Sequence, residues 1–181
     1  MKLFQQELSD LVDFCKERGI PLLVITSPLN LQVEPKKVCI NSISSTLLKE
    51  QEDIRAYLAA GDTKTAYAKG KALLEAAPGN ALTYHLMGKI STALGRYKEA
   101  RTYLENSSAF DCETWRGNVV FNNMMRRIAE KNELPLIDFD DMVNQNYGEN
   151  ILFLDDYYPQ EIYYESLVPV LQRSIIKSLK I

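Results

Sequence analysis

The sequence predicts a predominantly helical chain in which an all-α insert interrupts a small α/β unit. Residues 46–112 are Ala-rich, and placing residues 50–79 over residues 84–113 gives a period of 34 residues. Two short apolar runs, residues 20–26 and 134–138, lie outside this region and predict strands. Amphipathic helices flank both runs. The expected domains are residues 1–45 (first part of the α/β unit), 46–112 (helical insert of two hairpins) and 113–181 (second part of the α/β unit).

The two apolar runs favour a parallel pair. Ile20-Pro21-Leu22-Leu23-Val24-Ile25-Thr26 is continuously apolar, which is typical of a parallel strand covered on both faces. The second run, Leu134-Pro135-Leu136-Ile137-Asp138, follows only after the insert, and a parallel pair needs such a long crossover. Two strands alone leave two open edges, so we expect a larger sheet, a partner chain or a second copy at these edges.

The flanking helices have clear apolar faces. The first helix uses Phe4, Leu8, Leu11, Val12 and Cys15, and the helix that starts at Val119 precedes the second strand. The last helix has apolar positions on one side and a proline, which is expected to start or kink it: Leu167, Val170, Leu171, Ile175, Leu179 and Pro169.

Composition excludes several classes of function. The net charge of −3 and the scattered Lys and Arg residues argue against nucleic acid and against a polybasic membrane patch. No segment reaches the roughly 18 consecutive apolar residues of a membrane helix, and the N-terminus lacks a signal-peptide core. We therefore expect a soluble, cytoplasmic chain with no membrane insertion.

The cysteine and histidine counts disfavour metal sites, cofactors and disulfides. Cys15, Cys39 and Cys112 are odd in number and far apart, so neither a disulfide framework nor a zinc site is indicated. A chain with one histidine, His85, offers little for His-based catalysis, and a packed or surface role is expected for it. No cofactor and no metal are predicted.

The acidic residues near the C-terminus have two interpretations. They could form a divalent-metal cluster, but they have no fixed ligand spacing, and helix caps and turns are the favoured explanation. These residues are Asp138, Asp140, Asp141, Glu149, Asp155 and Asp156. The nearby tyrosines are compatible either with a carbohydrate or peptide contact surface or with burial against the sheet: Tyr157, Tyr158, Tyr163 and Tyr164.

The second repeat of the insert, residues 81–100, resembles the tetratricopeptide repeat. Tyr84 takes the aromatic position of the first helix, and Met87-Gly88 matches the Leu-Gly pair. Gly95 supplies the turn and Ala100 the small residue of the second helix. The first repeat is degenerate in its first helix. Two repeats are fewer than the three usually needed for stability, so flanking elements are expected to cap them.

The resemblance implies a groove that binds an extended or helical protein or peptide. Candidate binding residues form a basic rim for an acidic peptide, together with one aromatic residue: Lys64, Lys71, Tyr84, Arg96, Lys98 and Arg101. Two alternatives stay open, because these charges could simply be a solvated helix face and the helices could merely decorate the α/β unit.

The flanks resemble the C-terminal part of an SGNH (GDSL-type) hydrolase. The resemblance lies in residues 19–30, Trp115-Arg116-Gly117, 121–129, 136–138 and 152–159. In that family the last block is Asp-x-x-His-Pro and supplies the acid and base of a serine triad. Here Asp155 matches the Asp, but Tyr158 stands at the His position, and a phenol does not accept a serine proton at neutral pH. The nucleophile and oxyanion blocks have no counterpart in this sequence, so no catalytic residue is assigned.

Two functions of different class follow. The leading hypothesis is a non-catalytic protein or peptide interaction module on an incomplete SGNH-like scaffold. The alternative is the C-terminal half of a serine ester hydrolase whose nucleophile lies on a missing upstream segment. Self-association through strand edges is a third, purely structural possibility.

Overall fold

The computed structural model describes residues 2–36, 44–112 and 117–179. Most of these residues are helical, and the only regular strands among them form one parallel pair. The elements in chain order are α1 Lys2–Glu17, β1 Val24–Ile25, α2 Ser45–Ala59, α3 Thr63–Ala76, α4 Ala81–Ala93, α5 Tyr97–Ala109, α6 Val119–Lys131, β2 Leu136–Ile137, α7 Phe139–Asn144 and α8 Glu161–Leu179.

The chain forms two compact units. The α/β unit consists of Met1–Asn30, Gly117–Asn146 and Ile151–Ile181. The repeat unit consists of Leu31–Arg116 and Tyr147–Asn150, and it contains α2 to α5. The repeat unit thus includes a segment before its helices, residues 31–36, and a later return of the chain, residues 147–150.

The two strands of the α/β unit are parallel, which confirms the prediction. Val24 pairs with Leu136 and Ile25 with Ile137, and the Val24 amide donates to the Pro135 carbonyl at 3.0 Å. Each strand has two residues, fewer than the apolar runs predicted. Coverage on both faces was also predicted and is wrong, because Ile25 and Leu136 are each 37% exposed while Val24 and Ile137 are buried. The pair therefore buries one face only.

The helices of the α/β unit differ in how much they bury. α1 buries Val12 and Cys15, and α6 buries Val119, Ile128 and Ala129. Among the described side chains of α8, by contrast, none is fully buried. Pro169 lies inside α8, which begins at Glu161, so the prediction that the proline starts this helix is wrong.

The repeat unit has a continuous apolar core. Its members come from three of the four helices: Leu47, Ile54, Ala66, Leu73, Leu86, Met87 and Ile90. Gly95 makes the α4–α5 turn with a φ of 71°, which favours glycine. A Cβ at Gly88 would collide with the Leu104 side chain on α5, so the small residue allows the two helices to cross closely.

One of the two described cysteines differs from the prediction. Cys112 is disulfide-bonded, so the prediction of no disulfide is wrong at this position, whereas Cys15 is a free, buried thiol as predicted. Cys39 lies outside the described residues. An odd cysteine count and long sequence separations do not forbid a bond, since folding decides which thiols meet. Disulfides are rare in reducing compartments, so this bond does not support the predicted cytoplasmic location.

None of the helices in the described ranges is long and apolar enough to cross a bilayer.

Candidate functional site

The first helices of the two hairpins, α2 and α4, carry basic residues at equivalent positions. Arg55 on α2 and Lys89 on α4 are 34 residues apart, which is the repeat period. The positive charges of both residues act on Glu34 and lower the pKa of its carboxyl group. We call the surface formed by Arg55, His85, Lys89 and Thr92 the first-helix face.

Residues 31–36 lie on this face through an ion pair. Arg55 Nη2 donates to Glu34 Oε1 at 2.6 Å, and Arg55 Nη1 donates to Glu34 Oε2 at 3.4 Å. Leu31 is 5% exposed and Pro35 is buried, so both ends of the segment are also fixed by apolar burial. The face expected to be an open groove is therefore partly occupied by the chain itself.

The electrostatics of Glu34 follow from this position. The hydrogen bond from Arg55 is the main cause that lowers the pKa of the Glu34 carboxyl group, and partial burial opposes it. The positive fields of Arg55, His85 and Lys89 lower this pKa further. The site thus stabilises a carboxylate.

Beside this segment, a groove of about 350 Å³ remains on the first-helix face. It is lined by Gln32, His85, Lys89, Thr92, Leu104 and Tyr147. The Thr92 and Tyr147 hydroxyls are 2.9 Å apart, so the returning segment 147–150 forms one wall of the groove. An exposed lysine together with aromatic and aliphatic walls suits a short acidic peptide. His85 is 1% exposed, so of the packed and surface roles expected for it the structure shows the packed one.

The predicted basic rim lies mostly on the second helices of the hairpins. Lys64 and Lys71 are exposed on α3, and Lys98 is exposed on α5. Arg101 Nε donates to Glu105 at 2.8 Å. None of these residues belongs to the lining of the groove described above. A binding role for them stays a prediction.

The other two predicted binding residues have contacts within the unit. Arg96 is 3.6 Å from Glu99 and its guanidinium lies 5.1 Å from the ring centroid of Tyr67. Tyr84 stacks on Phe110 with 5.5 Å between ring centroids. Both side chains therefore support the packing between helices.

A second polar cluster lies at the carboxyl end of the strands of the α/β unit. Arg126 on α6 donates from Nε to Asp138 Oδ2 at 2.7 Å and from Nη2 to Asp140 Oδ2 at 2.8 Å. The Thr26 hydroxyl donates to Asp138 Oδ1 at 2.8 Å. Asn144 is buried, and its amide nitrogen donates to Asp140 Oδ1 at 3.0 Å. These bonds tie the two strand ends to α6 and α7.

Asp138 also shows what the acidic residues do. Its side chain caps α7 by accepting the amide of Asp141 at 3.2 Å. Burial acts to raise the pKa of Asp138, but the hydrogen bonds from Arg126, Thr26 and the Asp141 amide outweigh it and lower the pKa. Within the described ranges, no group of three or more His, Cys, Asp or Glu side chains could hold a metal ion. The cap interpretation fits Asp138, as predicted.

Asp155, the match to the hydrolase aspartate, holds a turn. Its Oδ1 accepts the backbone amides of Tyr157 and Tyr158 at 2.7 and 2.8 Å. Tyr158, which stands at the histidine position, is 61% exposed. Trp115 and Arg116, which contributed to the resemblance, lie outside the described residues.

Sequence reasoning missed Arg55, Lys89 and Thr92 of the first-helix face. The signal was available, because the period of 34 residues that places residues 50–79 over residues 84–113 also aligns Arg55 with Lys89. The sequence could not place Glu34 and Tyr147 beside this face, since their positions depend on where distant segments of the chain fold back.

Comparison with known proteins supports the repeat assignment for part of the chain. Residues 57–111 match the tetratricopeptide repeat family model. This stretch runs from the end of α2 to just beyond α5, and tetratricopeptide repeats generally mediate protein or peptide interactions. No curated protein matches the chain. No solved structure matches it either.

Proposed function

We propose that this chain is a protein-interaction module that binds an extended protein segment along the first-helix face of its tetratricopeptide-type hairpins. The observation that carries the proposal is the pair of basic residues at equivalent repeat positions, Arg55 and Lys89, beside a groove of about 350 Å³. Repeat proteins use such concave surfaces to bind extended ligands. The expected partner is acidic, because the face already stabilises the Glu34 carboxylate.

The proposal is tested by selecting peptides from a random library displayed on phage. We expect acidic peptides to be enriched, and we expect Lys89→Gln to weaken their binding about tenfold or more, since a charge-assisted contact contributes about 1.5–3 kcal/mol. The matched control is Lys49→Gln, which removes an exposed lysine on α2 outside the groove. Failure to enrich any peptide, or an equal loss in both variants, contradicts the proposal.

We further infer that the α/β unit is a non-catalytic scaffold of the SGNH-like type. The parallel pair, with a crossover that contains the repeat helices, supports this inference. Asp155 Oδ1 holds backbone amides, and the residue three positions later is a tyrosine. Addition of p-nitrophenyl acetate should give no hydrolysis above buffer, and a rate abolished by Asp155→Asn would contradict the inference.

A further inference from the structure

We propose that residues 31–36 are a tethered stand-in for the partner, which an incoming segment of the same chemistry displaces from the first-helix face. This inference rests on the proposed function and makes it more specific. The expected partner is an extended peptide in which a glutamate lies three positions after an apolar residue and is followed directly by a proline. Leu31-Gln32-Val33-Glu34-Pro35 has this pattern.

The segment has the features of a bound peptide ligand. It presents one carboxylate, from Glu34, to two hydrogen-bond donors of Arg55, and it buries an apolar side chain on either side of that carboxylate. Because a proline follows Glu34, the backbone at Glu34 is biased toward an extended conformation, which costs little entropy on binding. Glu34 therefore combines a charge anchor with a preformed backbone shape.

Glu34 is hydrogen-bonded to one of the two equivalent basic residues and interacts with the other through its electric field alone. The hydrogen bonds of Glu34 go to Arg55, whereas Lys89, the equivalent residue of the second hairpin, is exposed and lines the adjacent groove. A longer acidic partner can therefore contact both repeats. This gives it an advantage over the tethered segment.

The ion pair that anchors Glu34 is weak enough to be displaced. The side chains of Arg55 and Glu34 are 31% and 46% exposed, and ion pairs with this much solvent exposure contribute little to stability. A segment on the same chain typically acts at an effective concentration of roughly millimolar, so a partner with a micromolar dissociation constant can compete. Removal of the Glu34 carboxylate should therefore weaken the hold of the segment on the face and favour an incoming peptide.

The experiment uses the full chain and the synthetic peptide acetyl-Leu-Gln-Val-Glu-Pro-Lys-amide, labelled with fluorescein. We expect Glu34→Ala to bind this peptide about two- to fivefold more tightly than the unmodified chain, because the internal competitor loses an exposed ion pair. The matched control is Glu75→Ala, which removes an exposed carboxylate on α3 and should bind like the unmodified chain. Adding Arg55→Gln to Glu34→Ala should remove the gain. Glu34→Gln serves as a second variant that preserves the side-chain shape.

Three outcomes overturn the inference. These are equal affinity of the unmodified chain and Glu34→Ala, an equal gain in Glu75→Ala, and no measurable peptide binding by any variant. If library peptides still bind in a Lys89-dependent manner, the proposed function survives while the tethered stand-in does not. If neither kind of peptide binds, both are contradicted.

Discussion

The repeat unit and the α/β unit differ in how completely they bury their apolar residues. In the repeat unit, the large hydrophobic residues exposed among those described are Leu48, Tyr97 and Phe110. In the α/β unit they are Leu3, Leu11, Phe14, Ile20, Ile25, Leu136, Ile151, Leu154, Tyr157, Tyr158, Ile162, Tyr164, Val168, Ile175 and Ile176. The repeat unit forms a core with its own neighbouring helices, whereas the α/β unit presents much of its apolar surface to solvent.

The difference follows from architecture. A helical repeat needs only its nearest neighbour in sequence to cover its apolar face, so two hairpins and two short flanking segments suffice here. A parallel pair of two-residue strands leaves two edges and one face uncovered, and exposed apolar patches of this kind mark interaction surfaces. The comparison predicts that the two units respond differently to the same substitutions.

The largest effect is expected from a buried leucine of the repeat unit. Leu86 is 1% exposed, and Leu86→Ala should lower the free energy of unfolding by about 2–5 kcal/mol, because it leaves a cavity. The matched substitution Leu154→Ala, at a residue that is 68% exposed in the α/β unit, should change it by less than about 0.5 kcal/mol. Urea denaturation measures both, and similar values would contradict the contrast in burial.

The strand-end cluster is where the α/β unit is expected to be sensitive. Arg126→Gln should destabilise the chain by about 2–4 kcal/mol, since it leaves the Asp140 carboxylate, whose side chain is 6% exposed, without its charge partner. The neighbouring Arg127→Gln, at an exposed position, should be close to neutral. An equal effect of the two substitutions would show that the cluster does not hold the strand ends.

The same cluster gives a pH dependence. Because the folded pKa of Asp138 lies below its unfolded value, its contribution to stability is fully present above about pH 4 and is lost as the pH falls through the folded pKa. Asp138→Asn should flatten the fall in stability below about pH 4, as measured by urea denaturation across pH. An unchanged pH profile in the variant would assign the acid sensitivity to other groups.

Much of the repeat unit could be predicted from sequence, because its contacts are local and recur. The resemblance to the tetratricopeptide repeat placed Gly88, Gly95 and Ala100 correctly: Gly88 faces the Leu104 side chain, Gly95 has a positive φ, and Ala100 is fully buried. The parallel pairing could also be predicted, since strands that alternate with helices across a long crossover favour a parallel pair. These features depend on residues close in sequence or on connectivity alone.

The remaining features depend on contacts between distant segments. Glu34 meets Arg55, Tyr147 meets Thr92, and Thr26 meets Asp138 across long stretches of sequence. The exposure of Ile25 could not be predicted from a continuous apolar run, because such a run does not determine whether one or both faces of the sheet are covered. Tertiary placement, rather than local propensity, decided each of these cases.

A smaller effect is expected where the two hairpins meet. The Tyr67 hydroxyl donates to Glu99 Oε1 at 2.6 Å, and this bond raises the pKa of Tyr67 to about 12. Tyr67→Phe should destabilise the chain by about 1–2 kcal/mol. In the unmodified chain, the contribution of Tyr67 to stability is fully present below about pH 10, the pKa of an unfolded tyrosine. This contribution should be lost as the pH rises through the folded pKa of Tyr67. Absorbance titration of the tyrosines that shows no group titrating above the usual range would contradict this assignment.

The smallest effect on stability, and the sharpest test of the comparison, is expected on α8. Val168 and Ile176 are 51% and 52% exposed, so Val168→Ser with Ile176→Ser should change the free energy of unfolding by less than about 0.5 kcal/mol each. If the apolar surface of the α/β unit binds a second copy, the same double variant should shift the mass measured by light scattering from dimer to monomer. A monomer in both forms would exclude self-association through α8. A marked loss of stability would instead show that α8 is packed in solution, and the contrast between the two units would then not hold.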